Sequence, residues 1–106
     1  MAWIYLIIAG MFEIGWPLGL KMIGKTSFYT ISGIILAGVS IALSGLFLYF
    51  AQRDIPIGTA YAVWTAIGSA GTFFIGVLFF GDPSSMLRYL GVALIILGVI
   101  TLKVAS

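Results

Sequence analysis

The sequence predicts an all-α membrane protein: four transmembrane helices forming one domain. Three observations predict it. Of 106 residues, 62% are hydrophobic and 8% are charged, where a soluble domain carries about 25% charged residues. The few charges divide the chain into runs close to the roughly 20 apolar residues that a helix needs to cross a bilayer. Those runs, for example 31–37, interrupted only by Ser32, and 92–100, are almost continuously apolar, whereas the strands of a membrane β-barrel alternate apolar and polar residues. The expected spans are about 2–21, 28–51, 57–80 and 85–104. The N-terminus lacks the basic residues that open a cleaved signal peptide, and the segment after it holds Glu13 and Pro17.

The first span contains one charge, Glu13, near its middle. Insertion scales put a central acidic residue at about +2.5 to +3.5 kcal/mol, so an intramembrane carboxylate is a functional candidate by default. The alternative is a protonated, hydrogen-bonded glutamate that fastens helices together. Helical spacing puts Leu6, Ala9, Gly10, Trp16, Pro17 and Leu20 on its face. Ala9 and Gly10 are expected to leave space beside the carboxylate, and Trp16 offers an indole N–H and a π-face, together a pocket for a cation. Pro17 lacks an N–H and crowds the carbonyl of Glu13, so a bend is expected there.

After Lys21 and Lys25 comes an uncharged second span in which Gly33, Ala37, Ser40 and Ser44 repeat at spacings of four, three and four. Such small-residue stripes let helices approach closely in lipid. Ser40 and Ser44 are also placed to hydrogen-bond across to Glu13. Arg53, Asp54 and Pro56 mark the next turn. The third span then shows an aromatic and hydroxylated face of Tyr61, Trp64, Thr65, Gly68 and Thr72. Aromatic rings attract organic cations by about 2 kcal/mol when desolvated; an interfacial aromatic belt is the other reading, strongest for Tyr61. In the last loop, Asp82, Pro83 and the two serines after it suit a helix start. Gly91 and Gly98 share a face of the fourth span and mark it as an assembly element.

Charge and composition exclude other classes. With no cysteine and no histidine, thiol chemistry, disulfides and most zinc, haem or iron–sulfur sites are removed, and nothing in the pattern requires a cofactor. Five scattered basic residues form no patch for nucleic acid. A lone buried carboxylate with a few hydroxyls makes no recognisable catalytic constellation. Across the membrane, Arg53 and Lys103 on one side oppose Lys21, Lys25 and Arg88 on the other. So small a difference sets no orientation, and the chain is expected to insert either way up unless another subunit fixes it.

Several stretches together resemble the small multidrug resistance family of four-helix bacterial transporters: Ala9-Gly10-Met11-Phe12-Glu13, then Trp16 and Gly19-Leu20-Lys21, then the run from Ile55 through Gly58-Thr59-Ala60-Tyr61-Ala62-Val63-Trp64-Thr65. Trp16, the Gly-Leu-Lys after it, the run ending in Trp64-Thr65 and the closing Leu102-Lys103 are similar to its guanidinium-exporter branch. The resemblance implies a protein of the bacterial cytoplasmic membrane that works as an antiparallel homodimer. Two copies of Glu13 would exchange protons for a guanidinium-type cation. Gly10, Trp16 and Ser44 would line the pocket, Tyr61 and Trp64 would form its gate and aromatic wall, and Gly91 with Gly98 would form the dimer stripe. Some relatives act as pairs of different subunits. Pro17, Ala66 and the bulk of the 69–74 stretch depart from the family pattern and bear on pocket shape and substrate size. Export of quaternary ammonium ions is the rival transport reading, and a membrane scaffold without transport the rival outside it.

Overall fold

A computed structural model describes residues 1–105, so Ser106, the last residue of the expected domain, lies outside them. It contains α1 (Ala2–Met22), α2 (Ser27–Gln52), α3 (Ile57–Phe79) and α4 (Met86–Ala105). All four helices are long and apolar enough to cross a membrane. Local chemistry sets their ends. Gly24 takes φ +91°, a left-handed conformation that glycine adopts without steric cost, and its N–H donates to Thr30 Oγ1 at 2.9 Å. Thr26 caps α2 by accepting from the Tyr29 N–H at 3.1 Å. Ser85 Oγ accepts from the Arg88 N–H at 3.3 Å at the start of α4. Of the residues expected to cap α4, Ser85 does so, while Asp82 turns elsewhere. α1 runs through Pro17 as one helix.

Lipid tails are as apolar as leucine, so helices in a membrane associate through close packing and hydrogen bonds more than through the hydrophobic effect. This chain follows that logic. Large apolar side chains such as Ile34, Ile35, Leu94 and Leu97 point outward, and small residues occupy the crossings. α1 and α2 touch backbone to backbone at Gly19 and Gly33, where a Cβ on Gly19 would stand 2.5 Å from the Gly33 carbonyl oxygen. Ala37 extends this contact, so the small-residue stripe of α2 serves packing over that stretch. A tighter apolar cluster of Leu6, Ala51, Ile55, Ala60 and Val63 joins α1, the end of α2 and the start of α3.

α1 and α3 run in the same direction. Gly10 lies against Ile67, Glu13 against Gly68 and Ile14 against Gly71. α4 packs mainly on α3, with Lys103 Nζ reaching to 4.9 Å from the Trp3 ring centroid of α1, and Val92 is its one buried residue among those described. Gly91 and Gly98 have no atom within 4 Å of where a Cβ would lie. The expected assembly stripe is therefore open along α4 in a single protomer.

Candidate functional site

Glu13 is brought to the meeting of three helices. Trp16 lies one turn further along α1, and its Nε1 donates to Glu13 Oε1 at 2.7 Å. A hydrogen bond to a charged acceptor contributes about 1.5–3 kcal/mol. Ser44 of α2 is 1% exposed, and its position follows from the Gly33-to-Ser44 stripe turned toward α1. Its single hydroxyl hydrogen faces two acceptors: the Ala9 carbonyl oxygen at 2.8 Å and Glu13 Oε2 at 3.4 Å. O–H···O bonds favour about 2.7–2.8 Å, so the Ala9 carbonyl holds the hydrogen more strongly. Oε2 is thus the carboxylate oxygen with capacity to spare. From α3, Trp64 Nε1 donates to Ser44 Oγ at 2.8 Å, and the Tyr61 ring leans on Trp64 with centroids 5.4 Å apart. A polar chain therefore links Trp64, through Ser44, to Glu13 and Trp16, and the Tyr61 ring rests against its Trp64 end.

A cavity of about 340 Å³ opens between α1 and α3, and Glu13, Trp16, Thr65, Gly68, Thr72 and Asp82 are among its lining residues while Ser44 is not. Gly68 allows the approach: a Cβ there would stand 3.0 Å from the Glu13 Cβ and closer to its Cγ. Thr65, Gly68 and Thr72 belong to the face already visible in the periodicity of α3.

Several expected residues stand differently. The space foreseen beside Ala9 and Gly10 is filled, because both are buried and a Cβ on Gly10 would come within 2.6 Å of Ile67. Gly10 serves the α1–α3 crossing within the protomer. Ser40, foreseen as a second hydroxyl for Glu13, instead packs against Gly15. Tyr61 is 57% exposed; it and Trp64 approach Glu13 from the Ser44 side, outside the lining of the α1–α3 cavity. Asp82 was read as a helix cap and was missed as a cavity residue. The signal available in the sequence was Gly81 before it, a residue suited to reversing the chain.

The model of the small multidrug resistance protein family matches residues 1–95. The chain belongs to the small multidrug resistance family. Its relatives agree along the full length. A guanidinium exporter of Yersinia pestis is 43% identical over 106 residues, all of both chains. One of Proteus vulgaris is 40% identical over the same span, and one of Salmonella typhimurium is 41% identical, covering all of this chain and 99% of the relative. Family membership and four spanning helices make it a multi-pass protein of the bacterial cytoplasmic membrane. The polar chain centred on Ser44 is thus the interior of a small multidrug resistance protomer, and the open face of α4 is an edge of that protomer.

Proposed function

We propose that this protein is a proton-coupled antiporter that exports guanidinium and small substituted guanidines. The observation that supports the reading best is the hydrogen-bonded carboxylate at mid-membrane: Glu13 is held by Trp16 at 2.7 Å and lines the cavity between α1 and α3. A guanidinium ion is planar and rich in N–H donors, and it pairs with carboxylates through two parallel hydrogen bonds. The full-length relatives named guanidinium exporters support the same substrate class.

The working unit in this reading is an antiparallel homodimer with two Glu13 side chains facing one another and Gly91 and Gly98 at its seam. The open α4 face and the nearly even charge count across the membrane support it. Protons and cation then compete for the same carboxylates. Access changes sides only when the pair is protonated or loaded, so inward proton flow drives the cation out. Trp16 fixes the carboxylate for in-plane hydrogen bonding, Ser44 ties the carboxylate to Trp64, and Trp64 with Tyr61 gates one side. Gly10 shapes the floor by letting α3 approach.

The rival is export of quaternary ammonium ions, which have no N–H donors and gain nothing from an oriented carboxylate. Competition in proteoliposomes separates the two. Uptake of labelled guanidinium is expected to fall with added methylguanidine and to stand unchanged with equal tetraethylammonium. Transport of labelled tetraethylammonium without guanidinium movement would overturn the guanidinium reading.

A further inference from the structure

The loop between α3 and α4 places a second carboxylate on the cavity that contains Glu13. Gly81 takes φ +67° and folds the chain back over the last turn of α3. The Asp82 N–H donates to the Gly76 carbonyl oxygen at 3.0 Å, an oxygen that also accepts from the Phe80 N–H at 3.1 Å. The Asp82 carboxylate lies against Gly76, where an added Cβ would overlap Oδ2 and stand 3.0 Å from Cγ. A glycine in α3 thus supplies the seat, and a glycine in the loop supplies the turn that brings Asp82 into it.

Asp82 lines both the Glu13 cavity and a neighbouring cavity of about 220 Å³ between the same helices, toward Lys21. Glu13 sits level with Gly68 and Asp82 with Gly76. Those glycines are eight residues apart, which is about 12 Å of axial rise. The other charges at this end are basic. Lys21 lines the neighbouring cavity, Lys25 Nζ lies 5.5 Å from the Phe80 ring centroid, and the Arg88 guanidinium lies 5.3 Å from that of Phe73. Phe73 is itself a wall of the Glu13 cavity, so the rim already holds one planar guanidinium against an aromatic face. Without Asp82 the field at this mouth would be wholly positive and would repel an incoming cation.

We propose that Asp82 is a cation-attracting carboxylate at the mouth of the Glu13 cavity, a first station for guanidinium-type ions on the path to Glu13. The proposal rests on the transport reading above. In an antiparallel pair, one such carboxylate would stand at each membrane face, serving loading on one side and release on the other. Charged clefts raise association rates by tenfold or more at low salt, and screening removes the effect: the Debye length is about 30 Å at 0.01 M and about 3 Å at 1 M ionic strength.

The test is the initial rate of labelled guanidinium uptake against its concentration, in zwitterionic proteoliposomes at low and high sodium chloride. Asp82→Asn keeps the shape and the backbone hydrogen bond. It is expected to raise KM about 3- to 10-fold at low salt with the maximal rate unchanged, to match the wild type at high salt, and to be rescued by Asp82→Glu. An unchanged KM at low salt, or a loss of maximal rate that salt does not alter, would overturn the proposal. If the wild type moves tetraethylammonium and not guanidinium, the guanidinium reading fails by itself, and the same KM and salt criteria then judge Asp82 on that ion.

Discussion

Trp16 Nε1 and Glu13 Oε1 are joined at 2.7 Å across one turn of α1. The spacing of three residues along a helix makes the contact nearly independent of how α1 packs on its neighbours. The indole thereby fixes the plane of the carboxylate before any cation arrives, and a planar cation benefits from that more than a spherical one.

Removing the donor should therefore discriminate between substrates. Trp16→Phe keeps the ring and loses the N–H. A hydrogen bond to a charged group contributes about 1.5–3 kcal/mol, so KM for guanidinium is expected to rise about 10- to 100-fold. Methylguanidine should lose potency as a competitor in parallel, and tetraethylammonium should still fail to compete. An unchanged KM in the uptake assay would mean that Trp16 only fills space.

Packing at the α1–α2 crossing predicts a stability difference between two glycines of one helix. A Cβ on Gly33 would stand 2.9 Å from the Met22 Cβ and closer still to the Gly19 carbonyl oxygen, whereas one on Gly38 meets nothing within 4 Å. Gly33→Ala is expected to cost about 1–3 kcal/mol and to lower the unfolding temperature in detergent. Gly38→Ala should leave it unchanged. Similar behaviour of the two variants would contradict the crossing.

Insertion in both orientations follows from the nearly even charge distribution. The chain has no cysteine, so one introduced by Ser27→Cys is a unique reporter. It should react with an impermeant reagent from both sides of the membrane in comparable amounts. Gln52→Lys with Lys25→Asn and Arg88→Gln leaves three basic residues on one side against one on the other, and should fix one orientation and abolish export. Co-expression with the opposite bias, Ser84→Lys with Lys103→Asn, should restore it. Full export by either biased variant alone would contradict an antiparallel pair.

The helices were legible because length and continuous apolarity define a membrane span, whatever the helix later packs on. Glu13, Trp16 and Ser44 were legible for a related reason: a buried carboxylate needs donors, and few residues at suitable spacing offer them. Gly10 and Ser40 were harder. Spacing places them on the right face, but the crossing geometry decides whether Ile67 fills the space at Gly10 and whether Ser40 meets Glu13 or Gly15. Asp82 was harder again, because its position depends on the left-handed turn at Gly81 and the vacancy over Gly76, both tertiary features. Cap chemistry alone assigned it to α4.

The central claim is that protons and cation share Glu13. The most direct measurement is uptake of labelled guanidinium into proteoliposomes under an outward proton gradient, with wild type and Glu13→Gln side by side. The account predicts that wild type accumulates guanidinium above its external concentration, that collapsing the gradient with a protonophore releases it, and that Glu13→Gln accumulates none. Gradient-driven accumulation by Glu13→Gln would contradict it.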